Sequence, residues 1–71
     1  MKIRIETEVA GKVWKIETAV GQSVAADDTL ILIESMKMEI PLAAPRAGTI
    51  VEILVAEGDV VVEGQVVVLL D

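Results

Sequence analysis

The sequence predicts an all-β fold, a flattened barrel or sandwich of two small antiparallel sheets related by a pseudo-twofold axis. Three observations carry this expectation. Twelve valines and eight isoleucines make up more than a quarter of the 71 residues, and β-branched side chains suit a pleated, half-buried surface while losing rotamer freedom in helices. Ile3, Ile5 and Thr7 alternate with Lys2, Arg4, Glu6 and Glu8, the period of two expected of a half-buried strand. Residues 10–34 align without a gap on residues 47–71 at a constant offset of 37, with Ala10/Ala47, Gly11/Gly48, Ile16/Ile53, Ala19/Ala56, Gly21/Gly58, Val24/Val61 and Leu32/Leu69 identical.

In chain order, the alternating segment around Ile3–Ile5 opens the fold, followed by strands expected at 12–17, 30–35, 38–43, 49–55 and 66–71, with short pieces near Val24 and at 60–62. Turn residues stand between them: Ala10-Gly11, Val20-Gly21-Gln22, Ala26-Asp27-Asp28, Pro45-Arg46-Ala47-Gly48, Glu57-Gly58-Asp59 and Glu63-Gly64-Gln65. Two half-domains with matched turns and matched apolar positions each cover the hydrophobic face the other cannot bury alone. The chain therefore reads as one domain, 1–71, with half-repeats 10–34 and 47–71 joined by a hairpin over 35–43. Val13/Ile50, Ile16/Ile53, Val24/Val61 and Ile33/Leu70 are the expected core pairs.

Composition narrows the function. A single core of this size rarely supplies more than about 3–5 kcal/mol, and small domains commonly add disulfides or a metal. This chain has no Cys, His or Tyr, which excludes a disulfide framework, a thiolate or imidazole metal site, and Ser-His or Cys-His nucleophilic catalysis. No catalytic residues and no metal site are expected. Six Lys and Arg against twelve Asp and Glu give a formal charge of −6, which argues against nucleic acid and anionic membrane as partners. No apolar run approaches the roughly 18 residues of a membrane-spanning helix, and Met1-Lys2 leads into alternation instead of a signal-peptide core. A soluble, cytoplasmic chain, monomeric in isolation, is the expectation.

One segment conflicts with turn chemistry. Glu34-Ser35-Met36-Lys37-Met38-Glu39 lies between two strands that must reverse direction in a compact sandwich, yet it contains no Gly, Pro, Asn or Asp. A two-residue hairpin wants φ > 0 at one or both central residues, at roughly 1–2 kcal/mol for each ordinary L-residue. Such local conflicts are expected at functional sites. The residues alone leave two readings of Lys37. It is either a cation at a projecting tip flanked by two adaptable thioethers, or an ordinary solvated lysine on one long strand over 30–42.

At these residues the chain resembles a biotinyl domain, the biotin carboxyl carrier module of the biotinyl/lipoyl attachment family, a single hybrid-motif fold. The family's motif is Ala-Met-Lys-Met around the modified lysine, usually preceded by Glu, and this chain has Glu34-Ser35-Met36-Lys37-Met38 followed by Glu39. The resemblance covers residues 8–71 and continues through Ala10-Gly11, Val20-Gly21, Ala44-Pro45-Arg46-Ala47-Gly48 and Glu57-Gly58-Asp59. Ser35 departs from the commoner Ala, Gln22 from the usual Asp, and Ala26-Asp27-Asp28 from the frequent Ala-Gly-Gln. These departures bear on turn geometry, where Asp27 can replace a glycine because Asp tolerates the left-handed region.

The resemblance implies covalent biotin on Lys37, with Met36 and Met38 as flanking recognition residues and Glu34 and Ser35 as weaker parts of the motif. It implies a biotin protein ligase as modifying partner, since nothing in the sequence supplies a base to activate the amine. Biotin carboxylase and carboxyltransferase subunits, of acyl-CoA carboxylase type, would then be the working partners, and the chain a non-catalytic carrier whose cofactor does the chemistry. The ungapped offset leaves no room for a thumb loop in the first half, and the chain is either a free-standing carrier or a piece of a larger subunit. A lipoyl carrier of an acyl- or aminomethyl-transferring complex and an unmodified β-sandwich interaction module are the alternatives.

Overall fold

Alternating and β-branched segments form eight strands in the computed structural model, which describes residues 2–71: β1 (Ile3–Glu6), β2 (Gly11–Ile16), β3 (Ser23–Val24), β4 (Thr29–Ser35), β5 (Met38–Ala43), β6 (Gly48–Ile53), β7 (Val60–Val61) and β8 (Val66–Leu70). They build two four-stranded sheets of order β1-β8-β6-β3 and β5-β4-β2-β7, with every pairing antiparallel. The molecule measures 32 × 17 × 17 Å. Adding 37 to the residue numbers of β1, β2, β3 and β4 leads to β5, β6, β7 and β8, and this operation carries one sheet order onto the other. The all-β, two-sheet, pseudo-twofold architecture expected from the sequence is the one observed.

The symmetry extends to individual hydrogen bonds. The Gly21 N–H donates to the Ile50 carbonyl at 2.8 Å and the Gly58 N–H to the Val13 carbonyl at 2.8 Å. Gln22 Oε1 accepts from the Ala19 N–H as Asp59 Oδ2 accepts from Ala56, and Asp28 Oδ2 accepts from Ala25 as Gln65 Oε1 accepts from Val62. Each of these turns is closed by a side-chain acceptor three residues on, a role Gln and Asp share. Asp27 (φ 72°) stands where the other half has Gly64 (φ 86°). The correspondence also reaches a pair no sequence identity marks: buried Thr7 and Ala44 both dock on the opposite turn, Thr7 bonding Gln65 and Gly64, Ala44 bonding Asp28 and Asp27.

The core between the sheets consists of Ile5, Val13, Val24, Leu30, Ile31, Ile33, Ala44, Ile50, Val61, Val67, Val68 and Leu70. Three of the four expected core pairs lie in it. Ile16 and Ile53 do not: they are half-buried and pack against its margin. The reason is a bulge in each half, where Trp14 and Val51 are the extra residues between Val13/Lys15 and Ile50/Glu52. An extra residue shifts the strand's alternation by one position. A second symmetric pair of bulges inserts Leu30 and Val67, so that consecutive residues, Leu30-Ile31 and Val67-Val68, are fully buried. Glycine is required where β2 and β6 begin. A Cβ on Gly11 would collide with the Glu34 carbonyl oxygen, and one on Gly48 would lie 2.8 Å from that of Asp71. Strands expected to reach Thr7, Glu17, Val55 and Asp71 end short of them. Thr7 leaves its strand because its Oγ1 closes a local turn, donating to the Val9 carbonyl at 2.8 Å and accepting the Val9 N–H at 3.3 Å.

Candidate functional site

The β4–β5 hairpin carries the motif. β4 is an inner strand whose Leu30, Ile31 and Ile33 are anchored in the core, whereas β5 is an edge strand, which tolerates Pro41 because a residue lacking N–H fits where no partner strand follows. The register is Ile33↔Ile40, Glu34↔Glu39 and Ser35↔Met38, leaving Met36-Lys37 as a two-residue loop. Met36 has φ 51° and Lys37 φ 65°, so both central residues are left-handed, as in the type I′ turn that suits the twist of a tight hairpin. The alternative of one uninterrupted strand over 30–42 is overturned by this reversal.

Lys37 is exposed at the tip, Met36 is 93% and Met38 65% exposed, Ser35 is half-buried, and Glu34 is exposed. The hairpin thus brings together all five residues singled out from the sequence. It also adds one: Glu39 faces Glu34 directly across the ladder, placing two exposed carboxylates one rung below the Ser35/Met38 pair. Like charges directly opposite are unfavourable for pairing. Their spacing around a two-residue loop was the signal available for Glu39. No salt bridge engages Lys37 among the described residues.

The surroundings do not form a ligand cavity. The cleft beside the hairpin, between Thr7–Val9 and Ile33, Ile40 and Leu42, holds about 50 Å³, against roughly 300–1,000 Å³ for small-molecule pockets, and Lys37 lines neither of two wider, open hollows of about 350 and 260 Å³ around Glu6 and Glu8. Among the described residues, no group of three or more acidic, His or Cys side chains suited to a metal occurs and no helix is long and apolar enough to cross a membrane. What the site offers is a projecting primary amine on a rigid two-strand support.

Residues 1–70 match the family model described as "Biotin-requiring enzyme", the biotin/lipoyl domain. The chain belongs to the biotin/lipoyl attachment family. It is a biotinyl/lipoyl carrier domain, similar to the biotin/lipoyl attachment protein of Bacillus subtilis, with 39% identity over 62 residues that cover 87% of this chain and 85% of that protein. Among solved structures, the urea carboxylase of Kluyveromyces lactis contains a region that superposes with a TM-score of 0.95 at 35% identity, covering 100% of this chain and 6% of that one. The lipoyl domain of the 2-oxoglutarate dehydrogenase complex of Azotobacter vinelandii superposes with a TM-score of 0.77 at 27% identity, covering 94% of this chain and 95% of that one. The attachment family thus spans both cofactors among these neighbours.

Proposed function

We propose that this chain is a biotin carboxyl carrier and that Lys37 is its acceptor. The observation that carries the reading is the placement of Met36 and Lys37, two residues with no intrinsic preference for φ > 0, at both left-handed positions of the turn. Asn-Gly would close the same loop at lower cost, so the retained residues point to a demand for an amine flanked by thioethers. The unengaged, exposed amine fits an amide-linked group. In the attachment step, a biotin protein ligase supplies biotinyl-adenylate. Lys37 Nζ, having given up its ammonium proton to solvent, attacks the acyl carbon; the amide C–N bond forms, the mixed-anhydride C–O bond breaks, AMP leaves and a second proton passes from the nitrogen to solvent. The amide removes the lysine charge, taking the chain one unit below its formal −6.

When bound, biotin supplies a ureido nitrogen that accepts a carboxyl group at one active site and gives it up at another. The chain's own part is mechanical. β4 and β5 hold the tip clear of the sheets, Met36 and Met38 offer apolar contacts to each partner, and tethering keeps the arm at high local concentration within an assembly. Biotin carboxylase and carboxyltransferase subunits would be those partners. An acyl-CoA carboxylase assembly is the reading taken from the family resemblance and is supported by a likeness to a long-chain acyl-CoA carboxylase, while the likeness to urea carboxylase supports a urea acceptor; carboxyl transfer from the loaded chain to each acceptor separates them.

A lipoyl carrier is the second reading, favoured by the likeness to the lipoyl domain. The methionine on each side of Lys37 and the higher superposition on the carboxylase region support biotin. Incubation with biotin protein ligase, biotin and ATP, and separately with a lipoate ligase, followed by intact-mass measurement, tests the assignment. The expected result is a single biotinyl addition, absent from Lys37→Arg. A lipoyl mass alone, or biotin persisting on Lys37→Arg, overturns it.

A further inference from the structure

The chain lacks Cys, His and Tyr and has one Trp and three Met, so its capacity to react with mild oxidants rests mainly on thioethers. Those among the described residues, Met36 and Met38, are not in the core, where a soft, adaptable side chain ordinarily goes. They are 93% and 65% exposed, on either side of Lys37. The other apolar side chains exposed beyond 60%, Val20, Val60 and Val62, are inert to peroxides.

We propose that Met36 and Met38 form a reversible oxidation site that controls access to Lys37, so that their sulfoxides close the lysine to its modifying enzyme. The proposal rests on the reading of Lys37 as acceptor. In the oxidation, a thioether sulfur attacks one oxygen of a hydroperoxide. An S–O bond forms, the O–O bond breaks, the sulfur loses two electrons, and the departing oxygen takes up the proton of the transferred one and leaves as water from hydrogen peroxide, or as an alcohol from an organic hydroperoxide. In the return step, methionine sulfoxide reductases draw on a dithiol, which becomes a disulfide as the oxygen leaves as water. The sulfoxide turns a flexible apolar side chain into a polar, chiral one. A ligase surface that receives two thioethers must then desolvate two strong acceptors without partners.

The geometry makes this a switch without a structural penalty for the domain. Neither methionine contributes to the core cluster, and the last rung of the ladder, Ser35↔Met38, is held by backbone bonds. Oxidation therefore changes recognition while leaving the sandwich intact.

The test uses the unmodified chain treated with hydrogen peroxide until peptide mapping shows oxygen on Met36 and Met38, then supplied with biotin protein ligase, biotin and ATP. The initial rate of biotinylation is expected to fall by about tenfold, the effect of burying an unsatisfied polar group. It returns to the starting rate after treatment with both reductases, one for each sulfoxide epimer. The Met36→Leu/Met38→Leu chain, compared only with its own untreated rate, is expected to lose nothing on peroxide treatment. An unchanged rate on chain oxidised at both positions overturns the proposal, as does a loss that the reductases do not reverse. An untreated chain that takes up no biotin overturns the carrier reading together with it, so the two failures are distinguishable.

Discussion

Val61 shows what single side chains contribute. It is 1% exposed on a two-residue strand, β7, whose attachment to β2 involves only Gly11↔Val61 and Lys12↔Val60. Backbone bonds of Gly58 and Asp59 to Val13 continue this short ladder at 2.8 Å each, and burial of the side chain adds to them in holding the strand in place. Val61→Ala is expected to cost about 1–3 kcal/mol through lost burial and a residual cavity, measured by chemical denaturation. Asp27 makes the opposite case. It holds φ 72° where the equivalent residue is glycine, and its side chain takes part in none of the turn-closing bonds, which Asp28 makes instead. Asp27→Gly relieves the left-handed strain but adds freedom to the unfolded chain, so the expected gain is modest, up to about 1 kcal/mol in the same experiment.

At the scale of the element, the β4–β5 hairpin sets recognition against stability. Met36 and Lys37 both occupy left-handed conformations, and Glu34 faces Glu39 just below them. Met36→Asn with Lys37→Gly is expected to stabilise the domain by about 1–2 kcal/mol, seen as a higher denaturation midpoint, while abolishing modification in the ligase assay. Marked destabilisation would contradict the turn type. The residues alone leave the hairpin open against one strand over 30–42, because the segment between the two strand patterns lacks turn residues; the resemblance to the attachment motif is what points to a tip at Met36-Lys37. The bulges were not legible. Trp14, Val51, Leu30 and Val67 are each the extra residue against one partner, and nothing in a Val- and Ile-rich run marks which residue is surplus. That is why Ile16 and Ile53 were expected in the core and lie at its margin, and why two adjacent buried positions on β4 and on β8 escaped the period-two pattern.

At the scale of the molecule, four of the six strand pairings cross between the halves, β1 with β8, β4 with β5, β2 with β7 and β3 with β6. Each half therefore supplies edge strands for the other's sheet, and the duplication is interleaved, not two lobes side by side. The constant offset made this symmetry legible, because identical glycines and matched turns fall at one spacing. The pairings of β3 with β6 and of β2 with β7 lay beyond pattern reading, since β3 and β7 are two residues long and carry too little sequence to announce a partner. Lys37 lies outside both half-repeats, 10–34 and 47–71. The first half continues through Ser35 into the tip, and the place related to it by symmetry lies where β8 and β1 run side by side.

There Leu70 faces Ile3 as Ile33 faces Ile40 at the hairpin. Lys2 and Asp71 thus flank a register pair on adjacent strands, and in a chain limited to residues 2–71 a two-residue bridge such as Asn-Gly, the favoured hairpin loop, could splice Asp71 to Lys2. The backbone would become a continuous loop with no privileged starting point. A circular permutant closed in this way and reopened at the exposed Glu57-Gly58 turn is expected to regain the native β-sheet circular dichroism spectrum and cooperative thermal unfolding, and to present Lys37 to the ligase at an undiminished rate. A permutant that stayed unfolded would show that chain order, beyond the set of strand pairings, specifies the sandwich.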